Sequence, residues 1–132
     1  MPPKSPKIPA AVYQFKITLK GSRPPIWRRV WVPDHFSLYK FHRVIQLAMG
    51  WEDGHLHQFI VDGRYYNIPH PDDWEPGIDE RRIRLERLAL PMNSRFIYEY
   101  DFGDGWEHVI LVEKTLPPEA GESYPKCIQG KG

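Results

Sequence analysis

Tyr98-Glu99-Tyr100-Asp101-Phe102-Gly103-Asp104-Gly105-Trp106-Glu107-His108 reads as a β-hairpin with acids and a histidine gathered at its tip. Asp-Gly is a strong two-residue hairpin signal, because a type I′ turn needs positive φ at both central positions. Aromatic strand formers precede it and Val109-Ile110-Leu111-Val112 follows, so both strands are supplied. With Asp104-Gly105 alone as the loop, Asp101 stands opposite His108, and Tyr98, Tyr100, Phe102, Val109 and Leu111 share one apolar face. With Gly103 added to the loop, Asp101 faces Glu107 and Tyr100 faces His108 instead. The single apolar face favours the first register, which makes a carboxylate–imidazole pair.

Upstream, Tyr13, Phe15, Ile17 and Leu19 alternate with Gln14, Lys16, Thr18 and Lys20, the period of a half-buried strand. Gly21 to Pro25 turns the chain into a second strand, Ile26 to Val32, with Ile26, Val30 and Val32 inward and Trp27, Arg29 and Trp31 on the other face. Ser37 is a plausible N-cap for a helix carrying Leu38, Phe41, Val44, Ile45, Ala48 and Met49, and Gly50 is its stop. Leu56 to Val61 and Arg64 to Ile68 form a hairpin closed by Asp62-Gly63. Pro69 to Gly77 reads as a long loop, Arg82 to Leu85 as a short strand with a turn of helix through Leu88, and the chain from Pro117 onward as irregular. The expected fold is α+β, a single domain over residues 12–132 with a largely antiparallel sheet and one main helix packed on it. The hairpin–helix–hairpin start follows a β-grasp-like order. Residues 1–11, rich in proline, are expected to be a disordered or extended arm.

A chain of 132 residues with 41% hydrophobic and 14% aromatic residues can bury a sizeable core. Lys+Arg (18) and Asp+Glu (17) nearly cancel to a formal charge of +1, so any attraction to nucleic acid has to come from local charge. No apolar run approaches the roughly 18 residues of a membrane span and no secretory leader is evident, so no membrane association and a cytoplasmic location are expected. The single cysteine, Cys127, permits no internal disulfide and fits a reducing compartment.

Two groups of residues carry candidate chemistry. His55 and His57, two apart in an expected strand, project from one face and with Asp101, Asp104 and His108 could supply nitrogen and oxygen ligands to a divalent metal, or an acid–base pair. No serine lies in a recognisable nucleophile motif, and the plainer reading of Asp101 with His108 is a cross-strand ion pair. No cofactor is required, and a divalent metal is the one this cluster would take. The second group, Trp27, Arg28, Arg29 and Trp31, interleaves bases with indoles and could meet phosphates while stacking on a base. Trp51 and Trp106 lie beside turns, where they cap the core edge or line a cleft. Asp72, Asp73, Glu75, Asp79 and Glu80 make the long loop acidic, by default a solvated segment.

The succession Ile26-Trp27-Arg28-Arg29-Val30, Met49-Gly50-Trp51, His55-Leu56-His57-x-Phe59, Tyr98-x-Tyr100-Asp101-Phe102-Gly103-Asp104-Gly105-Trp106-x-His108 and Tyr124-Pro125-x-Cys127 resembles the plasmid pRiA4b open-reading-frame-three-like family. Its members are also labelled TnpR-like passenger proteins of insertion elements. The resemblance implies an association with plasmids or mobile elements but no established activity. A serine resolvase needs an activated serine within an arginine cluster, which this chain lacks, so recombinase chemistry is not expected. Members of that family continue past the Tyr-Pro-x-Cys segment into a Cys-Pro-Pro-rich stretch, so no partner for Cys127 is expected within these residues. The leading expectation is a non-catalytic domain that binds nucleic acid or a protein partner. The alternative is a metal-dependent hydrolase or nuclease using the His/Asp cluster.

Overall fold

The computed structural model describes residues 11–132; the expected N-terminal arm, Ala11 apart, lies outside the described residues. Eight strands form one sheet: β1 (Val12–Leu19), β2 (Trp27–Pro33), β3 (His57–Val61), β4 (Arg64–Asn67), β5 (Ile78–Asp79), β6 (Arg95–Tyr100), β7 (Trp106–Leu116) and β8 (Lys126–Lys131). Their spatial order is β5-β4-β3-β6-β7-β1-β2-β8. Every pairing is antiparallel except the short β4–β5 pair. One helix, α1 (Leu38–Met49), packs on one face, and two 3₁₀ turns, Glu80–Arg82 and Leu85–Leu88, follow β5. No helix among the described residues is long and apolar enough to cross a membrane. The architecture is the α+β single domain expected from the pattern.

The helix forms where its caps dictate. Ser37, in an extended conformation, accepts a hydrogen bond from the Lys40 backbone N–H, and Gly50 closes the helix at φ 80°, donating to Gln46 O. Leu38, Phe41 and Ile45 turn to the sheet, where Phe41 meets Phe15 at a ring separation of 4.8 Å and Phe59 at 5.8 Å. Alternation supplies the facing surface: Phe15 and Ile17 from β1, Val30 and Val32 from β2, Phe59 from β3, Phe96 and Tyr98 from β6, Ile110 and Val112 from β7, all buried.

The second Asp-Gly hairpin departs from both expected registers. Tyr98 pairs with His108, Glu99 with Glu107 and Tyr100 with Trp106, leaving Asp101 to Gly105 as a five-residue loop. Asp101 takes φ 60° and so leaves the strand, while its carbonyl accepts from Gly105 N–H at 2.6 Å. Asp62-Gly63, by contrast, has φ of 49° and 76°, the positive pair that a type I′ turn requires, and closes β3 onto β4 as expected. Asp104 is not among the residues of positive φ, so Asp104-Gly105 is no such turn. The consequence is a change of face: His108 and Ile110 point inward with Tyr98 and Tyr100, whereas Val109 and Leu111 fall on the opposite side and Phe102 stays exposed in the loop.

Two further expectations are corrected. The tail is not wholly irregular, because β8 adds to the free edge of β2. Arg82 to Leu85 contributes only an isolated bridge from Arg84 to Ser37, although the helical turn through Leu88 is present. The hairpin–helix–hairpin order β1-β2-α1-β3-β4 is present, and in the sheet the β6–β7 hairpin lies between those two hairpins.

Candidate functional site

The five residues of the expected His/Asp cluster do not meet at one point. His55 precedes β3, is 58% exposed and lies 3.7 Å from Asp101, whereas His57 is the first residue of the strand and is buried. His108 is fully buried on β7, two strands from His57 with β6 between, opposite Tyr98. Alternation therefore does not hold His55 and His57 on one surface, because the strand begins only at His57. The carboxylate–imidazole pair of Asp101 and His108 is also absent, a direct result of the register. Two separate constellations take their place.

The first is an open cleft of about 360 Å³ beyond the C-terminal end of α1. Trp51, Tyr100 and Trp106 form its aromatic wall, with Trp51 5.6 Å from each of the other two rings. Glu52, Asp101, Asp104 and His55 line the rest. Trp51 is anchored from behind: its indole N–H donates to His108 Nε2 at 3.1 Å, and its backbone N–H donates to Gln46 O. His108 Nδ1 in turn donates to Tyr98 O, and burial holds this imidazole below its ordinary pKa. Tyr100 Oη accepts from Gly54 N–H, fixing the loop after the helix against the wall. The arrangement is an aromatic surface bordered by carboxylates, a combination that favours positive charge.

The second lies between α1 and the sheet. His42 and Gln46 of α1, Asp53 of the following loop, His57 of β3, Tyr98 of β6 and Glu80 of the first 3₁₀ turn converge there. His42 Nδ1 is 2.6 Å from Tyr98 Oη, which also accepts from Gln46 Nε2 at 2.8 Å. His42 Nε2 is 2.9 Å from Asp53 Oδ1, and Asp53 N–H donates to Gln46 Oε1. The His42 and His57 rings stack at 3.5 Å and 8°. Behind them His57 Nε2 meets Glu80 Oε1 at 2.7 Å, while Glu80 Oε2 is buried without a hydrogen-bond partner among the described residues. Burial, with His57 alongside, pushes His42 down to about 4, and burial raises Glu80 and Tyr98 above their ordinary ranges.

Of this second group, sequence reasoning named only His57 as a candidate ligand and passed over His42, Gln46, Asp53 and Glu80 as site residues. Leu38, His42 and Gln46 are spaced four apart, so two polar residues sit within the buried stripe of α1, and that spacing was the available signal. Glu80 gave no signal, since it closes an acidic run and yet is fully buried.

The Trp27/Arg28/Arg29/Trp31 surface is largely occupied by its own neighbours. Arg29 makes a bidentate pair with Glu113, at 2.6 and 2.9 Å, and also reaches Gln129. Arg28 projects to the helix side and donates to the carbonyls of Ala48, Trp27, Lys131 and Gly132. Trp31 Nε1 donates to Gln14 Oε1, and Lys16 and Arg29 lie over the Trp27 ring. Trp74, on the long loop, is almost fully exposed.

Comparison with known proteins gives consistent results. The family model described as plasmid pRiA4b ORF-3-like protein matches residues 11–132. The chain is similar to the uncharacterized protein y4hQ of Sinorhizobium fredii, with 38% identity over 125 residues, covering 93% of this chain and 63% of that protein; the chain thus spans less than two thirds of this relative's length. It is also similar to the crystal structure of a protein of unknown function, MM3350, from Methanosarcina mazei Go1, with a TM-score of 0.82, 35% identity, and coverage of 93% of this chain and 71% of that one.

Proposed function

The chain belongs to the plasmid pRiA4b ORF-3-like family, and we propose that it serves as a non-catalytic binding domain whose aromatic cleft receives a cationic side chain of a protein partner. The observation that carries this reading is the pairing of an anchored Trp51–Tyr100–Trp106 wall with Glu52, Asp101 and Asp104 at its rim. A cation over an indole face gains about 0.5–2 kcal/mol, most where water is excluded, and neighbouring carboxylates add charge complementarity. A guanidinium or ammonium group fits both features. A phosphate meets repulsion from the same rim, and Arg29 is already bound to Glu113, so a nucleic-acid partner is the less favoured one.

Indole fluorescence titration with a hexa-arginine peptide tests the reading. Saturable binding that weakens with added salt is expected, together with its loss in Trp106→Ala and Asp101→Asn. Asparagine tolerates the positive φ at position 101 while removing the charge. A hexaglutamate peptide serves as the negative control. Absence of binding by hexa-arginine, or saturable salt-sensitive binding of duplex DNA that survives both substitutions, overturns it.

A further inference from the structure

We infer that His42, Asp53 and His57 form a binding site for a divalent transition metal of the zinc class, separate from the aromatic cleft. One ligand atom from each of the three lies within 4.8 Å of the others. The donors come from three different segments: α1, the loop after it and β3. Two imidazoles and one carboxylate are a donor set that zinc and its neighbours in the first transition row accept, leaving a coordination position for water or a ligand.

The surroundings match what a metal-bound imidazole needs. Tyr98 Oη and Gln46 fix His42 from its Nδ1 side, which leaves Nε2 directed at Asp53. Glu80 holds His57 Nε2, a carboxylate behind a histidine of the kind that sets its tautomer and raises its basicity. Its second oxygen, fully buried and without a hydrogen-bond partner among the described residues, leaves an unmet polar atom beside the cluster. The route in from solvent passes Asp53, whose side chain is 44% exposed while those of His42, His57 and Glu80 are buried. Because each lone pair lies in its own ring plane, two imidazoles stacked in parallel must tilt apart to share an ion. Loading therefore changes the environment of both rings.

Protein treated with a chelator and then titrated with zinc chloride by calorimetry is expected to take up one equivalent. Asp53→Asn weakens that binding roughly tenfold or more. The substitution keeps the positive φ of position 53 accessible and lies in an exposed loop, so the fold is retained and circular dichroism checks it. Asp101→Asn, Asp104→Asn and Cys127→Ser bind zinc as the parent does, which separates this site from the cleft and from the exposed thiol. The histidine side-chain resonances of His42 and His57 shift with zinc in the parent, and in Asp53→Asn only at correspondingly higher zinc. No uptake by the parent, or uptake unaffected by Asp53→Asn, overturns the inference.

Discussion

His108 is held neutral from both sides of its ring, donating through Nδ1 to Tyr98 O and accepting at Nε2 from the Trp51 indole N–H. A second proton has no acceptor there, and burial already holds the group below its ordinary value. An imidazole in the unfolded chain titrates near about 6.5. Between that value and the lower folded one, the unfolded chain binds the extra proton, so stability rises with pH in this window and is lost as pH falls below about 6.5. His42, pushed down to about 4, acts in the same direction, while Glu80, held above its ordinary value, acts in the opposite one as pH rises from about 4.5. The urea midpoint of the parent is expected to fall between pH 7 and pH 5, and that of His108→Gln to fall by less; an equal fall in both would remove His108 from the account. Trp51→Phe keeps an aromatic wall but leaves Nε2 of a buried histidine without its donor. It should cost about 1–3 kcal/mol in denaturant unfolding at pH 7.

At the scale of elements, the two Asp-Gly turns show what sequence could and could not reveal. Asp62-Gly63 and Asp104-Gly105 carry the same signal, yet only the first has strands that run up to the turn on both sides. Asp101 leaves the β region three residues before Asp104, and an α-turn-like bond from Gly105 to Asp101 replaces the two-residue hairpin. Strand existence was legible from alternation. The register was not, because shifting the pairing by three residues keeps Tyr98 and Tyr100 inward and merely exchanges Val109 and Leu111 for the equally apolar Ile110 and Val112. Helix limits were legible because Ser37 and Gly50 act locally: Ser37→Ala should cost about 1 kcal/mol in thermal or urea unfolding. β8 was not legible, since proline and glycine around it mask a strand that depends on the β2 edge and on Arg28, which bonds the backbone carbonyls of Lys131 and Gly132 and of Ala48 at the end of α1. Arg28→Lys replaces a five-donor fork with a point charge. Amide hydrogen exchange over Lys126–Lys131 should quicken in that variant while β6 and β7 keep their protection; unchanged exchange would show that strand pairing alone holds β8.

For the whole molecule, the decisive relation is that, among the described residues, a single α-helix covers a sheet of eight strands, and both constellations depend on where that helix sits. Its residues Phe41 and Ile45 enter the core, its His42 and Gln46 reach Tyr98, and its C-terminal cap delivers Trp51 to the cleft. The fold class and the apolar stripe could be read from periodicity, but the juxtaposition of His42, Asp53, His57 and Glu80 could not, because it arises from the non-local pairing of β3 with β6 and from the return of the chain after β5. If seating of the helix governs both sites, loosening it without touching either should weaken both. Phe41 is the residue for this test: it is fully buried, contacts Phe15, Phe59 and Phe96, and lines neither site. Phe41→Ala removes a ring from a packed aromatic cluster and should cost about 3–5 kcal/mol, a fall in Tm of roughly 10 °C or more. Folded variant at low temperature should then bind hexa-arginine and zinc both more weakly than the parent, as Trp51 and His42 lose their fixed backing. Leu47→Ala, on the exposed side of the same helix, should change stability by no more than about 0.5 kcal/mol. A Phe41→Ala variant that melts with the parent would mean that the sheet, rather than the helix on it, positions the Trp51 wall.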